Sequence, residues 1–151
     1  MTLPATSMRS SRRSGAVIAV VDTGPLYAVA DADDDEHVRC LDVLQRADLD
    51  LIVPALVIAE ATYLIGSRLG AAAEAAFLRG LAAFEVESPQ AEDWPAIGSM
   101  VERYADFPLG GTDASVAVLA DRLGTDFIVT LDARHFSVIR SRQGQPYRLL
   151  P

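Results

Sequence analysis

Four acidic residues carry the chemistry for which this chain can be read. Asp22 ends the apolar run AVIAVVD, and Asp132 ends a second one, FIVTLD. Asp113 opens a helical stretch within GGTDASVAVLADRLG, and Glu60 is the only charge before Arg68 in the apolar stretch that begins at Ala55. Carboxylates brought close together repel, and each raises the pKa of the others. A hard divalent cation relieves that repulsion, and a set of oxygen ligands selects Mg²⁺ or Mn²⁺ over zinc. Such an ion acidifies water and neutralises phosphate charge, so a phosphodiester is the natural substrate.

Each acid alone is weak evidence, because an Asp at a strand end is often a turn residue. The elements that carry them decide whether they meet. Residues 16–22 form a continuous apolar run, as in a central strand buried on both faces. Thr23, Gly24 and Pro25 turn the chain into a short helix that reaches about Ala30. The acidic run Asp31 to Glu36 reads as a solvated loop, and residues 36–47 as a second helix. Leu51 to Val53 is a short strand stopped by Pro54.

The next helix, Ala55 to about Leu69, is apolar nearly all round, which predicts burial. An isolated carboxylate there is costly unless it is paired or binds a metal. Glu60 is therefore either a ligand or a residue that faces a solvent channel or pairs with an arginine. An alanine-rich helix over 71–83 follows, then an edge strand near Phe84 and Val86. Ser88 and Pro89 open a helix to about Tyr104. Its stripe of Trp94, Ile97, Met100, Val101 and Tyr104 reads as core or dimer surface.

Thr112 is a good N-cap, which puts Asp113 in the first turn of a helix, where the dipole favours negative charge. Val116, Leu119, Ala120 and Leu123 give that helix its apolar face, and Gly124 is its C-cap. Phe127 to Leu131 is a strand, and shorter strands are expected at Val138–Ile139 and Tyr147–Leu149. Strands alternating with helices predict an α/β fold with a mostly parallel sheet. Ligands of such sheets bind at the carboxyl ends of the strands, near the switch in strand order. Asp22 and Asp132 sit at such ends, and Asp113 joins them if its helix runs antiparallel to the strands.

Composition narrows the alternatives. The chain has 151 residues, enough for one domain. Residues 1–15 read as a flexible arm, with Arg9, Arg12 and Arg13 solvated. No apolar run approaches the ~20 residues of a membrane span, and VIAVV is too short for a signal-peptide core, so a cytoplasmic location is expected. The net charge is −8, and all 13 basic residues are arginine. Without lysine there is no P-loop, no receiver-type switch and no Schiff-base chemistry. An acidic chain binds nucleic acid poorly in general, so any such activity must be local. Cys40 is alone, which leaves no disulfide framework and no thiolate zinc site. An aspartyl phosphatase would carry a second Asp two residues after Asp22, where Gly24 stands.

The blocks VIAVVDTGPLYA, VPALVIAEATYLIG, PLGGTDASVAVLADRLG and FIVTLDARHF together resemble the PIN domain, and most closely the VapC toxins of VapBC toxin–antitoxin modules. The resemblance runs from Val17 to about Leu150, so residues 16–151 would form the domain; the longer N-terminal arm departs from the pattern. Matched residue by residue, Asp22, Glu60, Asp113 and Asp132 take the four acidic positions of the family. Thr130 takes the hydroxyl position before the last acid, and Thr23 the polar position after the first. The resemblance implies a three-layer α/β/α sandwich with a sheet of about five strands, and a Mg²⁺- or Mn²⁺-dependent endoribonuclease acting on structured RNA such as tRNA or the sarcin–ricin loop of rRNA. It also implies a homodimer and a VapB antitoxin partner that blocks the acidic pocket. Arg134 is a candidate phosphate contact, and His135 reads as packing or capping. The competing reading is a regulatory module of the same fold that binds RNA or a partner without cutting.

Overall fold

In the computed structural model, residues 15–151 are described. The arm expected over 1–15 thus lies, but for Gly15, outside the described residues. Five strands form one sheet: β1 (Val17–Val21), β2 (Leu49–Pro54), β3 (Glu85–Glu87), β4 (Phe127–Val129) and β5 (Arg148–Leu150). Their order is β3-β2-β1-β4-β5, and every pairing is parallel. The expectation of a mostly parallel five-stranded sheet therefore holds in its strictest form. The apolar run at β1 fits its central place, with Ala19, Val20 and Val21 fully buried.

This order has one consequence for function. From β1 the chain moves outward through β2 to β3, then crosses back to lay β4 on the other side of β1. The switch point lies between β1 and β4, and the carboxyl ends of the strands beside such a point are where open α/β sheets bind their ligands.

The helices are α1 (Thr23–Ala30), α2 (His37–Leu44), α3 (Ala55–Leu69), α4 (Ala71–Gly80), α5 (Asp93–Arg103), α6 (Gly111–Leu123) and the single turn α7 (Ala133–Phe136). They make the layers of a PIN-like α/β/α sandwich. α1 packs on α2 and α3, and α3 on α4; α6 packs on α5 and lies against β1, β2 and β4. Seven successive residues of α6, Ala114 to Ala120, are buried, which makes it the core helix of the molecule. Cys40 is buried on α2, and burial pushes its thiol up to about 11, so the inert reading of this residue stands.

Several boundaries differ from expectation, each for a local reason. α5 starts at Asp93 rather than near Ser88, because the Asp93 carboxylate accepts the Gln90 amide at 2.8 Å and closes a turn first. Of its stripe, Ile97 is buried but Trp94 is exposed. The cap of α6 is Gly110, in extended geometry, so Thr112 lies inside the helix and is not its N-cap. Val138 and Ile139 form no strand, since both amides bond back to the His135 carbonyl and continue the turn of α7.

The largest correction concerns α3. The helix is not buried all round: only Val57, Ala61 and Ile65 are fully covered, Tyr63 is 73% exposed, and Glu60 is exposed. Alanines inflated the apparent apolar girth, and only one face of α3 meets the core. The cost of burying a lone carboxylate therefore gives no support to Glu60.

Candidate active site

The site is built from the switch point outward. Parallel pairing puts Val21 opposite Val129, so the next residues, Asp22 and Thr130, face each other at the strand ends. The Asp22 amide bonds to the Val129 carbonyl at 2.9 Å. The Thr130 hydroxyl donates to Asp22 Oδ2 at 2.8 Å, and its Oγ1 accepts the Asp132 amide at 2.9 Å. One side chain thus ties the first acid to the backbone of the last. Gly24 allows the approach: a Cβ there would stand 3.3 Å from the Leu131 Cβ.

Asp113 arrives from the other direction. It occupies the first turn of α6, close enough to the Gly110 amide for that dipole to favour its charged form. His135, on α7, stands between two of the acids. Its Nδ1 is 2.6 Å from Asp132 Oδ2 and 3.5 Å from Asp113 Oδ2, aligned as a hydrogen bond with neither, so these are contacts of charge when the ring is protonated. Its backbone amide donates to Asp132 Oδ1 at 3.0 Å, and its ring meets Phe107 edge-on with centroids 5.1 Å apart. Packing against Phe107 is thus a role of the His135 ring, whereas the cap of α7 is Asp132, which accepts the His135 amide. Its contact with Asp113 was beyond the reach of sequence, because it joins two helices distant along the chain.

The electrostatics show that all four acids share one neighbourhood. Burial pushes the Asp22 carboxyl up to about 6; the Thr130 hydroxyl and the Thr23 amide pull it back, while Asp113 and Glu60 push it further. Asp113 is raised chiefly by its own burial, with His135 and the Gly110 amide opposing and Asp132 and Glu60 adding. Glu60 is therefore within the field of the others although its side chain is solvated. Among the described residues no arginine pairs with any of the four. The Thr23 hydroxyl is buried without a hydrogen-bond partner. Arg134 lies over the Phe107 ring at 5.7 Å.

These donors fit a hydrated hard cation better than a dehydrated one. All are oxygens, their mutual repulsion is unrelieved by arginine, and Thr23 offers an unused hydroxyl. Yet among the described residues no three such side chains converge at chelating distance. Mg²⁺ takes only one or two carboxylates directly and keeps several waters, so it does not require three acids to converge.

A five-stranded parallel sheet with acids gathered at its switch point defines a class of α/β proteins with an acidic edge. Within that class, the PIN domain family model matches residues 19–141, and the chain belongs to the PIN-domain family. It is 37% identical over 134 residues to ribonuclease VapC26 of Mycobacterium tuberculosis, covering 87% of this chain and 99% of that protein. Two solved structures share the fold. The crystal structure of Mycobacterium tuberculosis VapC20, a sarcin–ricin loop cleaving toxin, has a TM-score of 0.67 at 20% identity, over 74% of this chain and 86% of that one. VapBC2 from Rickettsia felis, bound to a DNA fragment from its promoter, has a TM-score of 0.66 at 16% identity, over 89% of this chain and 100% of that one.

Proposed function

We propose that this chain is the toxin of a toxin–antitoxin pair, a metal-dependent endoribonuclease that hydrolyses phosphodiester bonds in structured RNA, either tRNA or rRNA. The observation that carries the reading is Asp22. It is buried, hydrogen-bonded to Thr130 and within the field of two further acids, with no arginine among the described residues to neutralise the group. The relative VapC26 is named a ribonuclease, which agrees in reaction type.

In this reading Asp22, with Asp113 or Asp132, holds Mg²⁺ or Mn²⁺ directly, while Glu60 acts through water or orients the nucleophile. When bound, the ion supplies charge neutralisation at the phosphate and an acidified water. The chain's own residues do the rest. Thr130 fixes the Asp22 carboxylate and the turn that carries Asp132. His135 holds Asp132 and Asp113 in register, and the Thr23 hydroxyl is free to bond a water of the hydrated site. Arg134, its guanidinium steadied by Phe107, is the phosphate contact nearest Asp132 in sequence.

The partner is a VapB-like antitoxin with a basic segment that enters the acidic edge, as charge complementarity favours. One structural neighbour is itself a VapBC assembly. A homodimer in the cytoplasm is part of the same proposal; among the described residues no helix is long and apolar enough to cross a membrane.

Incubation of the purified chain with total tRNA and rRNA, with and without Mg²⁺ or Mn²⁺, tests the activity, with Asp22→Ala as the control. Cleavage by wild type alone, and only with metal, is the expected result. RNA left equally intact by both proteins would instead favour a binding module without catalysis.

A further inference from the structure

A second feature of the surface is not used by the carboxylate site. A cleft of about 240 Å³ runs between α5, α6 and the segment after α7, and Arg103, Arg140 and Arg142 line it together with Met100, Ser99 and Asp121. Three exposed arginines around one cleft are out of keeping with a chain of net charge −8. The one acid in the lining does not neutralise them. Asp121 accepts the Tyr147 hydroxyl at 2.8 Å and the Arg142 backbone amide at 2.9 Å. Among the described residues, neither the Arg103 nor the Arg142 guanidinium has an ion-pair partner. Arg140 is fixed in place, with Nη1 donating to the carbonyls of Ser137, Val138 and Ile139 at 2.6, 3.2 and 3.0 Å. The other edge of its fork is left for a ligand. Clustered guanidiniums repel one another unless a ligand brings negative charge, and a planar fork matches phosphate oxygens.

The cleft also adjoins the acidic edge. The Arg140 amide is 3.4 Å from the Tyr104 hydroxyl, and three residues on from Tyr104 the Phe107 ring meets both His135 and Arg134. Arg103, Arg140 and Arg142 thus line the cleft, and Arg134 stands over Phe107 on the side of the acidic edge. We infer that this cleft is the track for the sugar–phosphate backbone of the RNA, beyond the nucleotide that is cut. An acidic chain needs such a track more than a basic one does, because its overall field repels the substrate. The inference rests on the RNA-cleaving reading for the identity of its ligand, but it can fail separately.

The test uses the full chain carrying Asp113→Asn, so that binding is measured without cleavage, with total bacterial tRNA as the probe over a range of salt. Adding Arg103→Gln and Arg142→Gln should weaken binding about tenfold or more, and should lower the slope of log K against log salt by about 2. The corresponding lysine pair, which keeps the charge, should recover most of the affinity. Unchanged thermal unfolding of the glutamine variant shows that the loss is not one of folding, since both side chains are exposed.

An affinity and salt slope unmoved by the glutamine pair would overturn the proposal. The two readings part cleanly. RNA that is bound through Arg103 and Arg142 but never cut by wild type keeps the track and removes the nuclease. RNA that is cut by wild type but bound independently of these arginines does the reverse.

Discussion

Two clusters of acids at the ends of the sheet's strands are opposites. At the outer end of the sheet, Glu87 ends β3 and Asp93 starts α5. Both are met by Arg122, with Nε 3.0 Å from Asp93 and Nη2 3.4 Å from Glu87, and the same guanidinium reaches the Ser88 carbonyl. At the switch point, Asp22, Asp113, Asp132 and Glu60 have no arginine among the described residues and only one imidazole between them. The first cluster is a clamp between elements, complete within the chain. The second is electrostatically incomplete and is held so by burial and by Thr130. The difference teaches that a count of acids does not locate a site. What locates it is charge that the fold gathers and then leaves unbalanced, at a stability cost that the clamp avoids.

The contrast can be broken from either side. The largest effect should come from Asp22→Asn, which keeps the Thr130 hydrogen bond but removes the charge. RNA cleavage should fall by about 10³-fold or more if the metal is lost with it, as measured by initial rates. Glu87→Gln in the clamp should change the rate by less than about twofold.

Next in size, Arg122→Met should strand a nearly buried Asp93 and destabilise the fold by about 3 kcal/mol in urea unfolding. Adding Asp93→Asn should restore more than half of that loss, because the two residues act as one unit. A clamp that could be removed without cost would dissolve the distinction.

A third experiment reads the cost at the switch point. The unfolded carboxyl of Asp22 titrates near 3.8 and the folded one at about 6, so the folded chain holds this proton more tightly. The group favours folding below 3.8 and loses that contribution as pH rises through 6, which leaves a cost of about 3 kcal/mol at pH 7 relative to acid. Asp22→Asn should therefore be more stable than wild type near pH 7, and equal to it near pH 4. Mg²⁺ should narrow the gap at pH 7 by stabilising wild type alone, by RT ln(1 + [Mg²⁺]/Kd). Thermal unfolding with and without EDTA measures both effects.

The smallest change is Thr130→Val, which keeps the strand but deletes the hydroxyl that joins Asp22 to the Asp132 amide. A loss of about 1 to 2 kcal/mol in stability is expected, with roughly tenfold slower cleavage.

Sequence gave access to some parts of this contrast and not to others. Asp22 and Asp132 were legible because a strand end is a local signal; Thr130 was reached only through the family resemblance, and parallel pairing sets it against Asp22. The ends of α3 were legible from Pro54 and Gly70. Its burial was not, because Ala59 and Tyr63 look apolar in a count yet face solvent. Glu60 was thus singled out for a reason that the structure removes, while its electrostatic coupling to Asp22 and Asp113 supplies another. The Arg122 clamp carried no sequence signal at all, since it joins residues some 30 positions apart through tertiary packing. His135 was read as packing or capping, and its contact with Asp113 stayed hidden for the same reason.

The bond between Thr130 and Asp22 spans 108 positions of the chain. No hairpin, helix pair or other local fragment contains both of its ends, and contacts of such separation form only after the loop between them has been closed. The site is therefore a property of the whole sheet and cannot exist in a half-formed chain. Cleavage should return during refolding no sooner than the pairing of β1 with β4, which makes activity itself a clock for the final assembly of the molecule.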